Sequence, residues 1–221
     1  MNKKALIIDD GHGKNTLDKS SPIFLVETKI GDKTIPAGGR FRENTFNMAV
    51  ADYLNDIAKE NGIPTALTAP EHEDIVLVER AKRQQQAFFI FKKQGLFPIS
   101  ISIHANDHLP NGERIFNSAN GIETFYKQAY DNQPSDWHRQ SKELAFFVQH
   151  QALKVRNQRN RRVEPANFYV LRNFHGPAVL FESGFMTNTK ELEYLASIQY
   201  QKEIAEALFD GIINFYKSIF I

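Results

Sequence analysis

The sequence contains no cysteine in its 221 residues. Without cysteine the protein has no disulfide framework, no thiolate zinc cluster, no iron–sulfur cluster and no cysteine nucleophile. Any metal that it binds must therefore be held by histidine, aspartate or glutamate side chains. A chain of this length can bury roughly 70% of the surface that it exposes when unfolded, so its core needs no disulfide support.

The sequence also lacks a large net charge and any long apolar run. Its formal net charge is +1, whereas nucleic-acid-binding proteins are usually strongly basic, so we expect no nucleic acid partner. No apolar run approaches the roughly 20 residues of a membrane span, so we expect no membrane insertion. Residues 2–4 are basic enough to begin a secretory signal, but the apolar run 5–8 is too short and ends at two aspartates. These features predict a chain that is cytosolic at synthesis.

No internal repeat, low-complexity tract or linker divides the chain, which indicates a single domain over residues 1–221. Apolar runs of strand length alternate with segments of helical periodicity. This alternation predicts an α/β fold, with a mostly parallel, twisted sheet of about six strands and helices on both faces. Strands are predicted at 5–9, 63–68, 99–105, 121–126, 167–171 and 177–182, and helices at 44–61, 75–94, 137–156, 189–197 and 199–217.

Four polar residues stand where ligands bind in such sheets, beyond the carboxyl ends of the strands. His12 follows the first predicted strand, and His104 and Glu182 end two others. Glu43 lies at the first turn of the first predicted helix. Two imidazoles and one carboxylate are the protein ligands of many catalytic zinc sites, which keep a fourth position for water. A second carboxylate can take a proton from that water and pass it to a leaving amine, which favours hydrolysis of an amide.

These residues lie in motifs that resemble a known family. The chain is similar to the zinc-dependent N-acetylmuramoyl-L-alanine amidases, the peptidoglycan amidases of the autolysin and endolysin type. Four motifs carry the resemblance, at residues 8–13 (IDDGHG), 42–44 (REN), 102–106 (SIHAN) and 182–188 (ESGFMTN). Connecting features appear in order at 77–80 (LVER), 121–126 (GIETFY) and 168–172 (FYVLR), so the resemblance covers nearly the whole chain.

The resemblance implies an activity and a role for each of the four residues. Members of this family cut the bond between the lactyl group of N-acetylmuramic acid and the first L-alanine of the peptidoglycan stem peptide. By the resemblance, His12, Glu43 and His104 bind one Zn²⁺ per chain. Glu182 is then the catalytic carboxylate.

The sequence departs from the family pattern at two places. Asp10 stands where the family has proline, which makes the turn less rigid and adds a charge beside His12. The segment 14–42 is longer than the usual link, and we expect it to form a loop or hairpin near the site, with 23–29 pairing with 33–36. The acidic inhibitory helix of some regulated members has no clear equivalent here.

Three further residues are expected around the site. Asp9 is predicted to orient His12 by accepting a hydrogen bond from it. Asn106 either binds substrate or closes the turn after its strand, and Phe185 is expected to line the substrate cleft. Glu123 is expected to face solvent from its strand.

Basic residues cluster at 156–162 and have two interpretations. A solvated helix end followed by a loop is favoured, because no aromatic residues interleave with the arginines. In the alternative, one or two of these arginines bind carboxylates of the peptide stem.

The leading hypothesis is a peptidoglycan amidase that acts in the cell envelope, with a monomer favoured. Because no leader is evident, the chain is either a phage-type endolysin released through a pore or an autolysin expressed without its leader. The alternatives are a peptidoglycan-binding domain without catalysis and a zinc carboxypeptidase that acts on the stem peptide.

Overall fold

The computed structural model of the protein describes residues 3–13, 16, 19–70, 74–129 and 135–220. The strands are β1 (Lys4–Asp9), β2 (Thr28–Ile30), β3 (Lys33–Ile35), β4 (Thr65–Leu67), β5 (Phe97–Asn106), β6 (Ile122–Lys127), β7 (Asn160–Ala166) and β8 (Ala178–Phe185). The helices are α1 (Glu43–Glu60), α2 (Leu77–Lys93), α3 (Asp136–Ala152), α4 (Tyr169–Arg172), α5 (Thr189–Leu195) and α6 (Ile198–Ile219), with one 3-10 turn at Pro110–Gly112.

Six strands form one sheet in the order β4-β1-β5-β8-β6-β7. Strands β4, β1, β5 and β8 are parallel, whereas β6 is antiparallel to β8 and β7 is parallel to β6. The carboxyl ends of the four parallel strands therefore meet at one edge of the sheet, and β6 begins at that same edge. Strands β2 and β3 form a separate two-stranded hairpin.

Successive residues of β1 point to opposite faces of the sheet, as the period of a strand requires. Leu6 and Ile8 belong to a core that includes residues of α1, α3 and α6. Ala5 and Ile7 belong to a second core with residues of α2 and α4. Both faces of β1 are thus covered, which explains why β1 is a continuous apolar run.

The predicted α/β class, the six-stranded, mostly parallel sheet and the helices on both faces are confirmed. The predicted strand at 167–171 is wrong, because this segment contains the short helix α4. Its Val170 and Leu171 are buried in the second core, so the apolar residues of this segment are those of a buried helix rather than a strand.

The helix predicted at 137–156 ends at Ala152, and the arginine-rich segment after it contains the edge strand β7 rather than a loop. This strand lacks an apolar run because it lies at the end of the sheet and no residue of it is fully buried. It carries Pro165, which an edge strand tolerates, and Arg162 has a φ of 91°, where the pairing with β6 shifts its register.

Strands β5 and β8 both continue beyond the predicted ends, so His104 and Glu182 lie within strands rather than at their last residues. Two strands of a parallel pair then hold these side chains next to each other, because His104 and Glu182 are register partners. None of the described helices is both long and apolar enough to span a bilayer.

Candidate active site

His12, Glu43 and His104 converge at the edge where the parallel strands end. One nitrogen or oxygen atom from each of the three residues lies within 4.8 Å of the others, a spacing that suits a shared metal ion. Glu43 Oε1 is 2.9 Å from His104 Nδ1, and Glu43 Oε2 is 3.7 Å from His12 Nε2. The two imidazole rings lie edge to face, with their centroids 5.2 Å apart. The fold therefore assembles a ligand set from three separated parts of the chain.

The carboxylate of Glu43 is fixed by its position at the start of α1. Its Oε1 accepts hydrogen bonds from the Asn47 side chain one turn later, at 3.1 Å, and from the backbone N–H of Ala105, at 3.2 Å. With Oε1 held by these donors, Oε2 is directed toward His12. Asn47 is fully buried and was not identified from the sequence, since an asparagine on a helix face carries no distinctive signal.

A chain of hydrogen bonds orients the imidazole of His104. Its Nε2 lies 3.1 Å from Ser102 Oγ, and that hydroxyl donates to Asp9. Ser102 therefore accepts the Nε2 proton, which turns Nδ1 toward Glu43, to which it donates a hydrogen bond until that proton is lost to make Nδ1 a metal ligand. The prediction that Asp9 orients His12 is wrong, because Asp9 acts on His104 through Ser102.

Asp9 is itself held by two further donors. Arg80 lies 3.2 Å from Asp9 Oδ1, and the Thr68 hydroxyl donates to the same oxygen at 2.6 Å. All three side chains are buried, so this ion pair forms part of the floor beneath the site. Asp9 contacts Ser102, Thr68 and Arg80 only in the folded chain, because all three lie far from it in the sequence.

The protonation states of the three residues follow from burial and from their proximity. Burial lowers the pKa of His12 from 6.5 to about 4, so this ring is neutral near pH 7. Burial alone would raise the pKa of Glu43, but the hydrogen bond and the charge of His104 outweigh it and lower the pKa to about 2. Burial likewise opposes a charged His104, yet Glu43 prevails and raises its pKa. The protein thus offers one neutral imidazole, one carboxylate and one imidazole that must lose a proton.

Glu182 presents a buried carboxyl group beside this trio. Its Oε2 is inaccessible to solvent and has no hydrogen-bond partner among the described residues. The pKa of Glu182 is raised from 4.5 to about 8, chiefly by burial, with His104 opposing the rise and the carboxylates of Glu43 and Glu123 contributing to it. A carboxyl group whose pKa is displaced toward neutrality is suited to accept and return a proton.

Glu123 lies at the same edge as Glu182, and the expectation that it faces solvent is wrong. It is the register partner of Glu182, because the antiparallel strand β6 begins where β8 ends. Asn106 donates to one of its carboxylate oxygens, and Arg161 lies 3.2 Å from the other. Asn106 also accepts from the backbone N–H of Asp107, so it both closes the turn and holds Glu123.

Phe185 does not line the cleft as expected. Its side chain is buried, and the Arg161 guanidinium covers its ring at 4.8 Å from the centroid. A cavity of about 510 Å³ opens instead above His12, His104 and Glu182. Its walls come from the segment before β2, the start of α2, α4 and β8, with Thr16, Lys19, Asp74, Ile75, Val76, Leu77, Phe168, Tyr169, Val170 and Leu180 among its lining residues.

Comparison with known proteins gives a consistent result. A family model described as N-acetylmuramoyl-L-alanine amidase matches residues 6–214. The protein YqiI of Bacillus subtilis, described as uncharacterized, is 28% identical over 213 residues, which are 96% of this chain and 85% of YqiI. The N-acetylmuramoyl-L-alanine amidase LytC of the same species is 27% identical over 214 residues, which are 97% of this chain and 36% of LytC.

Solved structures share the fold over nearly the whole chain. The N-acetylmuramoyl-L-alanine amidase from Clostridium difficile 630 superposes with a TM-score of 0.73 at 27% identity, over 99% of each chain. The catalytic domain of CwlV, an amidase from Bacillus (Paenibacillus) polymyxa, gives 0.69 at 25% identity, over 97% of this chain and 98% of that domain. The chain thus spans whole catalytic domains, but only about a third of LytC.

Proposed function

Because the chain belongs to the N-acetylmuramoyl-L-alanine amidase family, we propose that it is a zinc hydrolase of peptidoglycan. In this proposal it cleaves the amide bond between N-acetylmuramic acid and the L-alanine that begins the stem peptide. One observation carries the proposal. His12, Glu43 and His104 form one cluster of potential metal ligands, and two of them, His12 and His104, line a cavity together with Glu182, whose buried Oε2 has no hydrogen-bond partner among the described residues.

The donor set suits zinc. Two imidazole nitrogens and one carboxylate oxygen are a common set of protein ligands at catalytic zinc sites. His12 is neutral and Glu43 is ionised near pH 7, as metal ligands must be. Ser102 and Asn47 hold His104 and Glu43 in place. His12, Glu43 and His104 would therefore hold one Zn²⁺ per chain.

Zinc, when bound, polarises a carbonyl oxygen and makes a water molecule more acidic. The protein supplies the proton transfers. Once positive charge is held beside Glu182, its pKa falls from about 8 toward neutrality, and its carboxylate can take a proton from the attacking water. The water oxygen then bonds to the lactyl carbonyl carbon, and Glu182 returns the proton to the alanine nitrogen as the carbon–nitrogen bond breaks. The products are a lactyl carboxylate and a peptide with a free amino terminus.

This reaction is set in the cell envelope, because peptidoglycan lies outside the cytoplasmic membrane. All the site residues come from one chain, so the proposal requires no partner subunit. The second candidate, a binding domain without catalysis, leaves the buried Glu182 unexplained. A buried carboxyl oxygen without a hydrogen-bond partner lowers the stability of the fold, and a binding domain gives no reason to keep it. The third candidate, a zinc carboxypeptidase, shares the site chemistry and differs in the bond that it cuts.

Product analysis on purified muropeptides tests the proposal. We expect new amino groups on L-alanine with intact glycans, loss of this activity with a chelator, and its recovery with added zinc. Release of D-alanine would identify a carboxypeptidase instead. Binding of muropeptides with no cleavage at any zinc concentration would identify a binding domain.

Zinc affinity is expected to fall as the pH falls, chiefly because of His104. Zinc binds the deprotonated imidazole, and Glu43 raises the pKa of His104, so a proton competes at this residue below that pKa. His12 and Glu43, with pKa values of about 4 and about 2, do not compete in the same range. Calorimetric titrations between pH 5 and pH 8 should show about a tenfold loss of affinity per pH unit below the pKa of His104.

The proton count provides the control for this result. Titrations in buffers of different ionisation enthalpy should show release of one proton per zinc at the acidic end of the range. A release of two protons would mean that a second group, His12 or Glu182, also gives up a proton when zinc binds.

A further inference from the structure

The segment between β1 and α1, left without a role by the sequence, brings Lys19 to the cavity. The backbone carbonyl of Lys19 accepts a hydrogen bond from the N–H of Glu43 at 3.0 Å. Directly beyond it, Ser20 forms a β-bridge with Arg42, and the N–H of Ser21 donates to Phe41 at 2.8 Å. The backbone of Lys19 is thus fixed relative to one of the metal ligands.

A second anchor holds the same stretch from the other side. Arg114 donates to the carbonyl of Ser20 and also to Asp107 Oδ2 at 2.9 Å. Asp107 follows β5 directly, so this ion pair ties the segment to the loop beyond His104. With its backbone attached at two points, Lys19 has a defined place at the cavity wall.

Lys19 carries a charge that no carboxylate among the described residues neutralises by an ion pair. The cations that line the cavity within the described part of the chain are Lys19 and Arg80, apart from the histidines. Arg80 is buried and paired with Asp9. Lys19 is partly exposed, and no described carboxylate lies within ion-pair distance of it. Burial dominates the raised pKa of Glu182, and the Lys19 ammonium acts against that rise, so its charge reaches the reacting group.

The rest of the cavity suits an extended ligand with one acidic group. Val76, Leu77 and Phe168 form exposed apolar parts of its lining. A ligand bound there meets His12, His104 and Glu182, the apolar side chains of the lining and the ammonium group of Lys19. A substrate carboxylate is the group that would neutralise this ammonium.

The arginines at 156–162 do not offer this contact. Arg156 pairs with Glu203, and Arg161 pairs with Glu123 while it covers Phe185. None of these arginines lines the cavity. The alternative in which they bind stem-peptide carboxylates therefore has no support in the geometry.

We propose that Lys19 binds a carboxylate of the stem peptide and thereby selects substrates whose acidic residues next to the scissile bond are not amidated. This inference rests on the proposed function. It assigns to segment 14–42 the role of a specificity element, and it makes Lys19 a binding residue rather than a group that moves a proton.

The test measures binding rather than turnover. The zinc-loaded Glu182→Gln variant is titrated with a muramyl tripeptide that carries D-glutamate and meso-diaminopimelate, and with the same peptide amidated at one or the other residue. Lys19→Met, Lys19→Arg and Lys29→Met are each added to this variant. Lys29 is the matched control, because it is an exposed lysine of the same segment in the β2–β3 hairpin.

We expect Lys19→Met to weaken binding of the free acid about tenfold, as for loss of one charge-assisted hydrogen bond. For the peptide that is amidated at the recognised residue, Lys19→Met should change the affinity less than about twofold. The amidated peptide that shows this small change identifies the residue that Lys19 recognises. Lys19→Arg should restore most of the affinity, and Lys29→Met should have no effect.

Three results would overturn the inference. The first is a preference for the free acid that persists in Lys19→Met, and the second is an equal loss of affinity for the acid and both amides. The third is the absence of measurable binding by the parent variant. Turnover by the wild-type chain is measured in parallel. If the wild-type chain leaves the peptides intact, the proposed amidase function is rejected. The binding comparison still decides the role of Lys19 in that case.

Discussion

Replacement of Glu182 by glutamine is expected to lower kcat by about 10³-fold, within the range that general acid–base catalysis contributes. Glutamine preserves the shape of the side chain but can neither take a proton from water nor return one to the alanine nitrogen. Zinc stoichiometry should be unchanged, because the proposed metal ligands are His12, Glu43 and His104. Steady-state kinetics on a muropeptide, together with metal analysis of the purified variant, measure both quantities.

The same variant should change how the stability of the metal-free protein depends on pH. The pKa of Glu182 is raised from 4.5 to about 8 in the folded state, so the folded protein binds a proton that the unfolded chain releases between these values. Stability from this group is present at low pH and is lost as the pH rises toward 8. Glutamine carries no such charge, so the melting temperature of Glu182→Gln should lie ~5 °C above that of the parent near pH 9. Near pH 4 the two proteins should have the same melting temperature.

Glu123→Gln is the matched control, since it removes a carboxylate from the neighbouring strand. Arg161 and Asn106 already hold that carboxylate, so we expect a change in kcat below about tenfold. If Glu182→Gln keeps full activity, or if both variants lose activity equally, Glu182 is not the proton carrier.

Substitution of Gly11 by alanine should damage the site and the fold together. Gly11 has a φ of 63°, which costs an L-residue about 1–2 kcal/mol. A Cβ atom there would lie 2.6 Å from the Ile103 carbonyl oxygen, 2.9 Å from His104 Cε1 and 2.5 Å from Asn47 Nδ2. The loop between β1 and His12 must then move away from both a metal ligand and the residue that holds Glu43.

We expect a loss of about 3 kcal/mol in the free energy of unfolding, or ~10 °C in Tm, from backbone strain and overpacking combined. Zinc affinity should fall about 10- to 100-fold, as it does when the groups that orient metal ligands are disturbed. Thermal melts of the metal-free protein and zinc titrations by calorimetry provide the two values.

Gly95→Ala separates strain from steric contact. Gly95 has a φ of 75°, but nothing lies within 4 Å of the Cβ position. This variant should lose only about 1 kcal/mol and should bind zinc normally. Equal effects of the two substitutions on zinc binding would show that the close contacts of Gly11 with His104 and Asn47 are unimportant.

The sequence predicted the fold class because the alternation of apolar runs and helical periods reflects burial on both faces of a parallel sheet. It failed at β7, whose charged residues 160–166 form an edge strand with little burial. It also failed at residues 167–171, where a short apolar run is compatible with either a strand or a buried helix. Apolar patterns in a sequence therefore identify a helix or strand only where that helix or strand buries part of its surface.

The candidate metal ligands and the candidate proton carrier could be selected from the sequence, because histidine and glutamate are chemically distinctive at the ends of apolar runs and lie in the family's motifs. The sequence predicted His12, Glu43, His104 and Glu182 in this way, and the structure brings the first three together. Their supports could not be found, since Ser102, Asn47 and Thr68 are common polar residues whose hydrogen bonds join distant parts of the chain. The role predicted for Asp9 failed for the same reason. The role predicted for Phe185 failed because its side chain is buried and Arg161, from strand β7, covers its ring.

The sequence by itself determined which groups are available: no thiol, two histidines and two carboxylates that follow strands or begin a helix. The tertiary structure decided their distances, their hydrogen bonds and their pKa values. It also placed Lys19 at the cavity and set Glu123 beside Glu182, because β6 runs antiparallel to β8. These outcomes depend on strand order, direction and burial, which arise from contacts between residues far apart in the chain and leave no local trace in the sequence.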